Sequence, residues 1–168
     1  MTRLVAYYSR AGENYFGGKL EYVQVGNTEK VARNIASIMN GALFRIEEKT
    51  PYSMNYRECT AEAKRDKDND VRPELVALPQ SISDFSVIYL GFPNYWGTMP
   101  MAVFTFLESF DFSGKTIRPF CTHEGSGFGD ALKDLGRVAK GAYIENPLEI
   151  RGSLVDSAYD EIRKWLGK

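Results

Sequence analysis

Five short apolar runs alternate with segments of helical spacing, and that alternation limits what this chain can become. Leu4-Val5-Ala6-Tyr7-Tyr8, Ala42-Leu43-Phe44-Arg45-Ile46, Phe85-Ser86-Val87-Ile88-Tyr89-Leu90 and Thr116-Ile117-Arg118-Pro119-Phe120-Cys121 have the residue types of strands. Ala142-Tyr143-Ile144 and Leu148-Glu149-Ile150 supply a fifth strand and its extension. Between them lie helical patterns. Val31, Ile35, Ile38 and Met39, backed by Ala32 and Ala36, form one stripe that opens at Gly26-Asn27-Thr28 and closes at Gly41. Ala102 to Leu107 reads as a second helix, Ala131, Leu132, Leu135 and Val138 mark a third, and Val155, Tyr159, Ile162 and Leu166 a last one. Strands that are apolar throughout belong to a parallel sheet covered on both faces, so the class is α/β. A length of 168 residues fits one domain spanning 1–168. Three segments fit less simply. Glu13 to Val25 reads as a hairpin around Gly17-Gly18, an excursion from a strand-to-helix loop. Tyr56 to Asp68 is helix-compatible but polar nearly all round, with only Cys59, Ala61 and Ala63 to bury, and reads as an exposed helix or an ordered surface segment. Pro119 predicts a bulge or a frayed position in its strand.

In a parallel sheet ligands collect beyond the carboxyl ends of the strands, and three informative loops fall there: Ser9 to Thr28, Pro93 to Thr98 and Thr122 to Gly129. In the stretch from Gly91 to Pro100, Pro93 and Pro100 stop regular structure and Tyr95 and Trp96 are fenced by prolines and glycines. That suits a clamp for something flat; the rival reading is a turn whose aromatics fold back into the core. The helix opening at Gly26-Asn27-Thr28 presents bare backbone N–H groups, to which the Ser9 and Thr28 hydroxyls, the Asn27 amide and the Arg10 guanidinium add donors. Chemically that is a phosphate site, and its rival is a simple helix cap. Gly125-x-Gly127-x-Gly129 lacks the dinucleotide fingerprint's spacing, and no Walker lysine motif is present.

Composition narrows the function further. A net charge of -1 argues against capture of nucleic acid. No apolar run reaches membrane-spanning length and the N-terminus lacks the layout of a secretion signal, so a soluble cytoplasmic protein is expected. Cys59 and Cys121 have neither metal-ligand nor Cys-x-x-Cys spacing. A phosphoryl-accepting receiver needs clustered acids after the first strand, and Tyr8-Ser9-Arg10 offers none.

Tyr7-Tyr8-Ser9-Arg10 with the later Gly26-Asn27-Thr28, then Phe92-Pro93-Asn94-Tyr95-Trp96-Gly97, then Thr122-His123-Glu124-Gly125-Ser126-Gly127, together resemble the three cofactor loops of the flavodoxin family. The resemblance spans essentially the whole chain. It implies a doubly wound, three-layer α/β/α sandwich whose five parallel strands run in the order 2-1-3-4-5, with FMN at the switch point. It also implies that Ser9, Arg10, Asn27 and Thr28 bind the FMN phosphate. Pro93, Asn94, Tyr95, Trp96 and Gly97, with Thr122, His123, Glu124, Gly125, Ser126 and Gly127, would then sandwich the isoalloxazine ring and bind its edge. By the same resemblance Trp96 or Tyr95 stacks on the ring, and Gly97 lets the neighbouring peptide turn its carbonyl toward N5. Glu124 accepts from the ring N3–H through its carboxylate or the local backbone, the rival being plain solvation on a loop, and His123, the one histidine, is a flavin contact rather than a general acid. The implied function is electron transfer between redox protein partners, by a monomer or weak homodimer. The alternative is an NAD(P)H-dependent quinone or small-molecule reductase of the same fold, with Glu13 to Val25 and Tyr52 to Asp70 shaping a substrate pocket. Two departures stand out. Family members usually run directly from the serine turn to Gly-Asn-Thr, whereas the insertion here would split or reshape the phosphate loop. Electron carriers of the family are strongly acidic and dock basic partners by charge, whereas this chain is nearly neutral.

Overall fold

The first strand, β1 (Thr2–Tyr7), is apolar on both faces, so it can be stable only at the middle of a covered sheet. The structure is a computed structural model that describes residues 2–168. After β1 come a hairpin of β2 (Gly12–Phe16) and β3 (Lys19–Val23), then α1 (Asn27–Met39), β4 (Ala42–Arg45) and α2 (Tyr56–Asp68). The second half runs β5 (Phe85–Pro93), α3 (Met101–Glu108), β6 (Thr116–His123), α4 (Ala131–Val138), β7 (Tyr143–Ile144) and β8 (Leu148–Arg151). A short 3₁₀ helix (Gly152–Ser157) leads into α5 (Tyr159–Trp165).

The main sheet runs β4-β1-β5-β6-β7, with β8 also paired to β6, and every pairing in it is parallel. Counted without the hairpin, this is the expected order 2-1-3-4-5, its fifth place shared by β7 and β8. Leu4 and Ala6 face a core layer completed by α3 and α4, while Val5 and Tyr7 face α1 and α5. The hairpin forms its own two-stranded sheet, turning at Gly17-Gly18 as expected.

Four sequence expectations change. β5 runs on through Gly91 and Phe92 to Pro93, because Phe92 is a core residue, so the loop starts three residues later. Pro119 causes no bulge. Glu145 N–H donates to the Ile117 carbonyl, so Ile117 and Pro119, two residues apart, turn their backbone groups to that same side. The N–H that Pro119 lacks therefore faces the break between β7, paired at Ile117, and β8, paired from Phe120. α1 ends on Asn40 in the left-handed conformation rather than on Gly41. Finally, Val155 belongs to the 3₁₀ turn, and the buried stripe passes through Ala158 while Tyr159 is 48% exposed.

Gly91 shows how tightly the strands below the site are packed. A Cβ there would lie 2.1 Å from Cζ of Phe120 on β6, whose ring is itself buried. Gly91→Ala is expected to destabilise the protein by about 3 kcal/mol, through overpacking that the ring cannot relieve. Urea unfolding monitored by circular dichroism measures it; a loss within experimental error would mean that Phe120 is free to move.

Candidate functional site

Because β1, β5 and β6 are parallel neighbours, the loops that follow them open at one edge of the sheet. There they enclose a cleft of about 510 Å³. All of the expected cofactor contacts line it except Gly125 and Gly127. The two glycines shape the rim instead, since both have positive φ, a conformation that side chains rarely adopt.

The insertion does not split the first loop. A Cβ on Gly26 would lie 2.3 Å from the Ser9 Oγ and 2.5 Å from the Arg10 carbonyl, so only glycine lets the start of α1 close against the end of β1. Ser9 Oγ accepts from Glu29 N–H (3.1 Å), which caps α1 across the inserted hairpin, and its own hydroxyl proton is left to donate. Neither Asn27 nor Thr28 is the cap. That position is Gly26, without a side-chain bond of its own, so the first turn keeps N–H groups directed at the cleft edge. The Thr28 and Thr122 hydroxyls, both buried, share a hydrogen bond of 2.7 Å that joins the first and third loops. Arg10 departs from expectation: its guanidinium donates to the carbonyls of Ser53 and Glu13, fastening the hairpin base to the segment before α2.

The second loop is a tight hairpin turn. Tyr95 and Thr98 exchange backbone hydrogen bonds, and Trp96 (φ 54°) and Gly97 (φ 83°) both take left-handed conformations. A positive φ is costly for a residue as bulky as tryptophan, and the surroundings hold it. The Trp96 indole N–H donates to the Thr60 carbonyl on α2 (2.8 Å), and its own carbonyl accepts from Lys67. Asn94 spans the two loops: its amide donates to the Gly127 carbonyl (2.8 Å) and its oxygen accepts from Gly97 N–H (2.8 Å). Asp130 N–H donates to the Gly97 carbonyl (2.7 Å). The peptide between Trp96 and Gly97 is thus held at both ends, by Asn94 and by Lys67, so any turn of that carbonyl must first break the Lys67 bond.

The two aromatics of this loop divide the expected roles. Tyr95 turns inward, edge-to-face with Tyr8 at 5.8 Å, and burial pushes its phenol well above the usual range. Trp96 remains 47% exposed, with the Lys64 ammonium 5.7 Å from its ring centre. In the third loop His123 Nδ1 accepts from Gly125 N–H (2.8 Å). The Glu124 carboxylate accepts from Gly17 N–H at the hairpin tip and from Ser153 N–H, each at 3.2 Å, so it secures the hairpin across the cleft instead of pointing a free oxygen into it.

The two segments expected to shape a pocket complete the walls, through residues that the sequence reading did not name one by one as site residues. Asn14, Tyr15 and Phe16 come from β2, and Tyr56, Cys59, Thr60 and Ala63 from one stripe of α2. Their i, i+3, i+4, i+7 spacing was the available signal, muted by the polar residues around it. Burial raises the Cys59 thiol above its ordinary pKa, which keeps it protonated and unreactive. Behind Tyr8 lies Glu48, buried, with Oε1 lacking any partner among the described residues.

Two outcomes follow from this geometry. Asn94→Ala removes the bond to the third loop at Gly127 and the bond within its own loop to Gly97, and should cost about 2 kcal/mol. Hydrogen exchange should show the loss of protection confined to residues 94–98 and 124–130, and unchanged protection there would mean that Asn94 does not join the loops. Burial also raises the Glu48 pKa, partly offset by the Tyr8 phenol, so the folded state holds that proton more tightly than the unfolded chain. Its stabilising contribution is present below the ordinary carboxylate range and is lost as pH rises through the raised value. Glu48→Gln should therefore unfold at a higher temperature than the parent at neutral pH, with the gap closing in mild acid; a gap independent of pH would exclude titration of Glu48 as its source.

Comparison with known proteins places this geometry. The flavodoxin family model matches residues 19–168, a segment that starts inside the hairpin and leaves β1 and the Ser9-Arg10 turn ahead of it. No curated protein matches. Among solved structures, a candidate flavoprotein from Bacteroides uniformis is 24% identical, with 99% of this chain and 98% of that one covered at a TM-score of 0.77. A flavoprotein from Lactobacillus acidophilus, solved in complex with FMN, is 17% identical over 95% of this chain and 97% of its own, with a TM-score of 0.66. Oxidised Flavodoxin 2 from Bacillus cereus is 15% identical over 99% of both chains, with a TM-score of 0.53. These likenesses show a shared fold, and the family match makes the assignment: this chain belongs to the flavodoxin family.

Proposed function

We propose that the cleft binds FMN and that the protein serves electron transfer between redox partners. One observation carries this reading: Gly26 brings the Asn27 and Thr28 N–H groups of the first turn of α1 and the Ser9 hydroxyl together at the same cleft that Trp96 walls. Donors able to meet a phosphate and an aromatic face able to meet a flat ring suit a phosphorylated tricycle. The donor set fits without Arg10, whose guanidinium is already engaged. Ser9, Asn27 and Thr28 would hold the phosphate, and residues 94–97 and 122–126 would hold the ring. When bound, the flavin supplies the capacity to take up and release electrons one or two at a time. Trp96 would shield it from water, and the fixed Trp96-Gly97 peptide would present a set dipole to its edge. A flavoprotein of the same fold, from Lactobacillus acidophilus, solved in complex with FMN supports the choice of cofactor.

A second reading, a reductase of quinones or other small molecules, is favoured by the hairpin and α2. Both line the cleft, and the hairpin tip is tied across it to Glu124, which narrows the approach of a protein partner.

Titration of apoprotein with FMN, followed by tryptophan fluorescence, tests the cofactor. Saturable quenching is expected, and none at micromolar FMN would sink the reading. Asn27→Ala with Thr28→Val should weaken FMN about tenfold while riboflavin, which lacks the phosphate, changes little. Equal loss for both ligands would contradict the phosphate role.

A further inference from the structure

The inserted hairpin carries a strand edge that no other described residue covers. Its two-residue turn, with Gly17 (φ 63°) and Gly18 (φ 80°) both left-handed, sets the ladder so that Phe16 exchanges hydrogen bonds with Lys19, and Asn14 with Glu21. Lys19, Glu21 and Val23 therefore direct their backbone groups to β2, while Leu20 and Tyr22 direct theirs outward. β3 pairs with β2 alone, and among the described residues those outward groups have no partner. The side chains add to the exposure. Leu20 and Tyr22 are 53% and 64% exposed, on the same face as Tyr15, which stands opposite Leu20. An open edge beside exposed apolar side chains is a template for another strand.

Charge selects which strand. A lysine on an edge ordinarily repels a second edge, but Glu21 lies two residues further along the same face, 2.7 Å from the Lys19 ammonium. β3 is thus neutral as a whole and carries both signs. Two copies of one strand close a dimer only antiparallel about a two-fold axis, and that axis must pass through a residue that faces itself, because side chains directly opposite share a face. Three such centres lie in the first half of β3. Centring on Lys19 or on Glu21 sets like charges against each other. Centring on Leu20 sets each Lys19 opposite Glu21 of the second copy and lets the two Leu20 residues exchange N–H···O bonds across the axis. It also puts Tyr22 opposite Gly18, around which there is open space.

We propose that β3 pairs with β3 of a second copy of this chain, antiparallel and centred on Leu20, to give one four-stranded sheet shared by a symmetric dimer. Each β2, the strand that lines a cleft through Asn14, Tyr15 and Phe16, becomes an outer strand of that sheet. Two paired strands of 5 residues bury well under the roughly 1,200 Å² of a small stable interface. The dimer is accordingly weak and forms as concentration rises. It does not depend on what occupies the cleft.

Sedimentation equilibrium of the full chain between about 10 and 1,000 μM tests this, a range suited to so small an interface. The mean mass should climb from one copy toward two. Lys19→Glu and Glu21→Lys, each alone, should weaken association about tenfold, since symmetry puts two such pairs in every interface. An equal mixture of the two single variants should associate as the parent does, because every pair across the axis is then of opposite sign although the pair within each chain stays broken. Leu20→Pro, which removes only an outward N–H, should abolish the dimer and leave the circular dichroism spectrum unchanged. A parent that stays monomeric throughout, single variants or a Leu20→Pro variant that associate undiminished, or a mixture that stays monomeric would overturn the proposal.

Discussion

The close approach of the Ser9-Arg10 turn to the start of α1 is the constraint on which the rest of the site depends. Gly26 has no side chain to keep the two segments apart, so Ser9 can cap α1 from the far side of the hairpin. With both ends of the excursion pinned within a few ångströms, residues 12–23 can only leave the body as a self-paired ribbon. Loop closure makes such an insertion thermodynamically mild, because its cost grows slowly with length once the ends are fixed. The hairpin is then recaptured at its tip by Glu124 and at its base by Arg10. An element that interrupts the Ser9 to Thr28 loop in sequence thus becomes a wall of the cleft in space.

The loop after β5 shows a different economy. Trp96 stands in a left-handed conformation that the isolated dipeptide would rarely adopt, and six polar contacts involving Asn94, Trp96, Gly97, Thr122, Gly127 and Asp130, with α2, hold it there. Strain retained in this way orients the indole before any ligand arrives, which reduces the ordering cost that binding would otherwise carry. The same contacts explain why α2 is so polar. Much of its surface serves loops through Thr60, Lys67 and the Glu58 and Glu62 carboxylates that receive Ser53, so little of it remains to cover the sheet.

Local pattern carried most of the architecture. Apolar strands and striped helices specify their own periods, and a run such as Phe85 to Leu90, whose Ile88-Tyr89-Leu90 is buried on both faces, has few places to go except the middle of a parallel sheet. The gathering of three loops at one edge follows from that parallelism alone. Side-chain direction was not legible. Arg10 and Glu124 have the charges one would assign to ligand contacts, yet each is drawn to protein groups supplied by segments distant in sequence, Ser53 for the one and Ser153 for the other. Pro119 misled for a similar reason, since its harmlessness depends on a gap between β7 and β8 that no reading of its own strand reveals.

By itself, then, the sequence determined the order of elements, the parallel sheet and the edge at which chemistry gathers, because these depend on hydrophobic period and backbone handedness, which act over a few residues. Tertiary structure alone decided which polar groups remain free to meet a ligand, whether the loop from Ser9 to Thr28 stays closed despite its insertion, and that Tyr15, Tyr56 and Trp96 share one cleft. Those outcomes turn on contacts a few ångströms long between segments tens of residues apart, and nothing local encodes such distances.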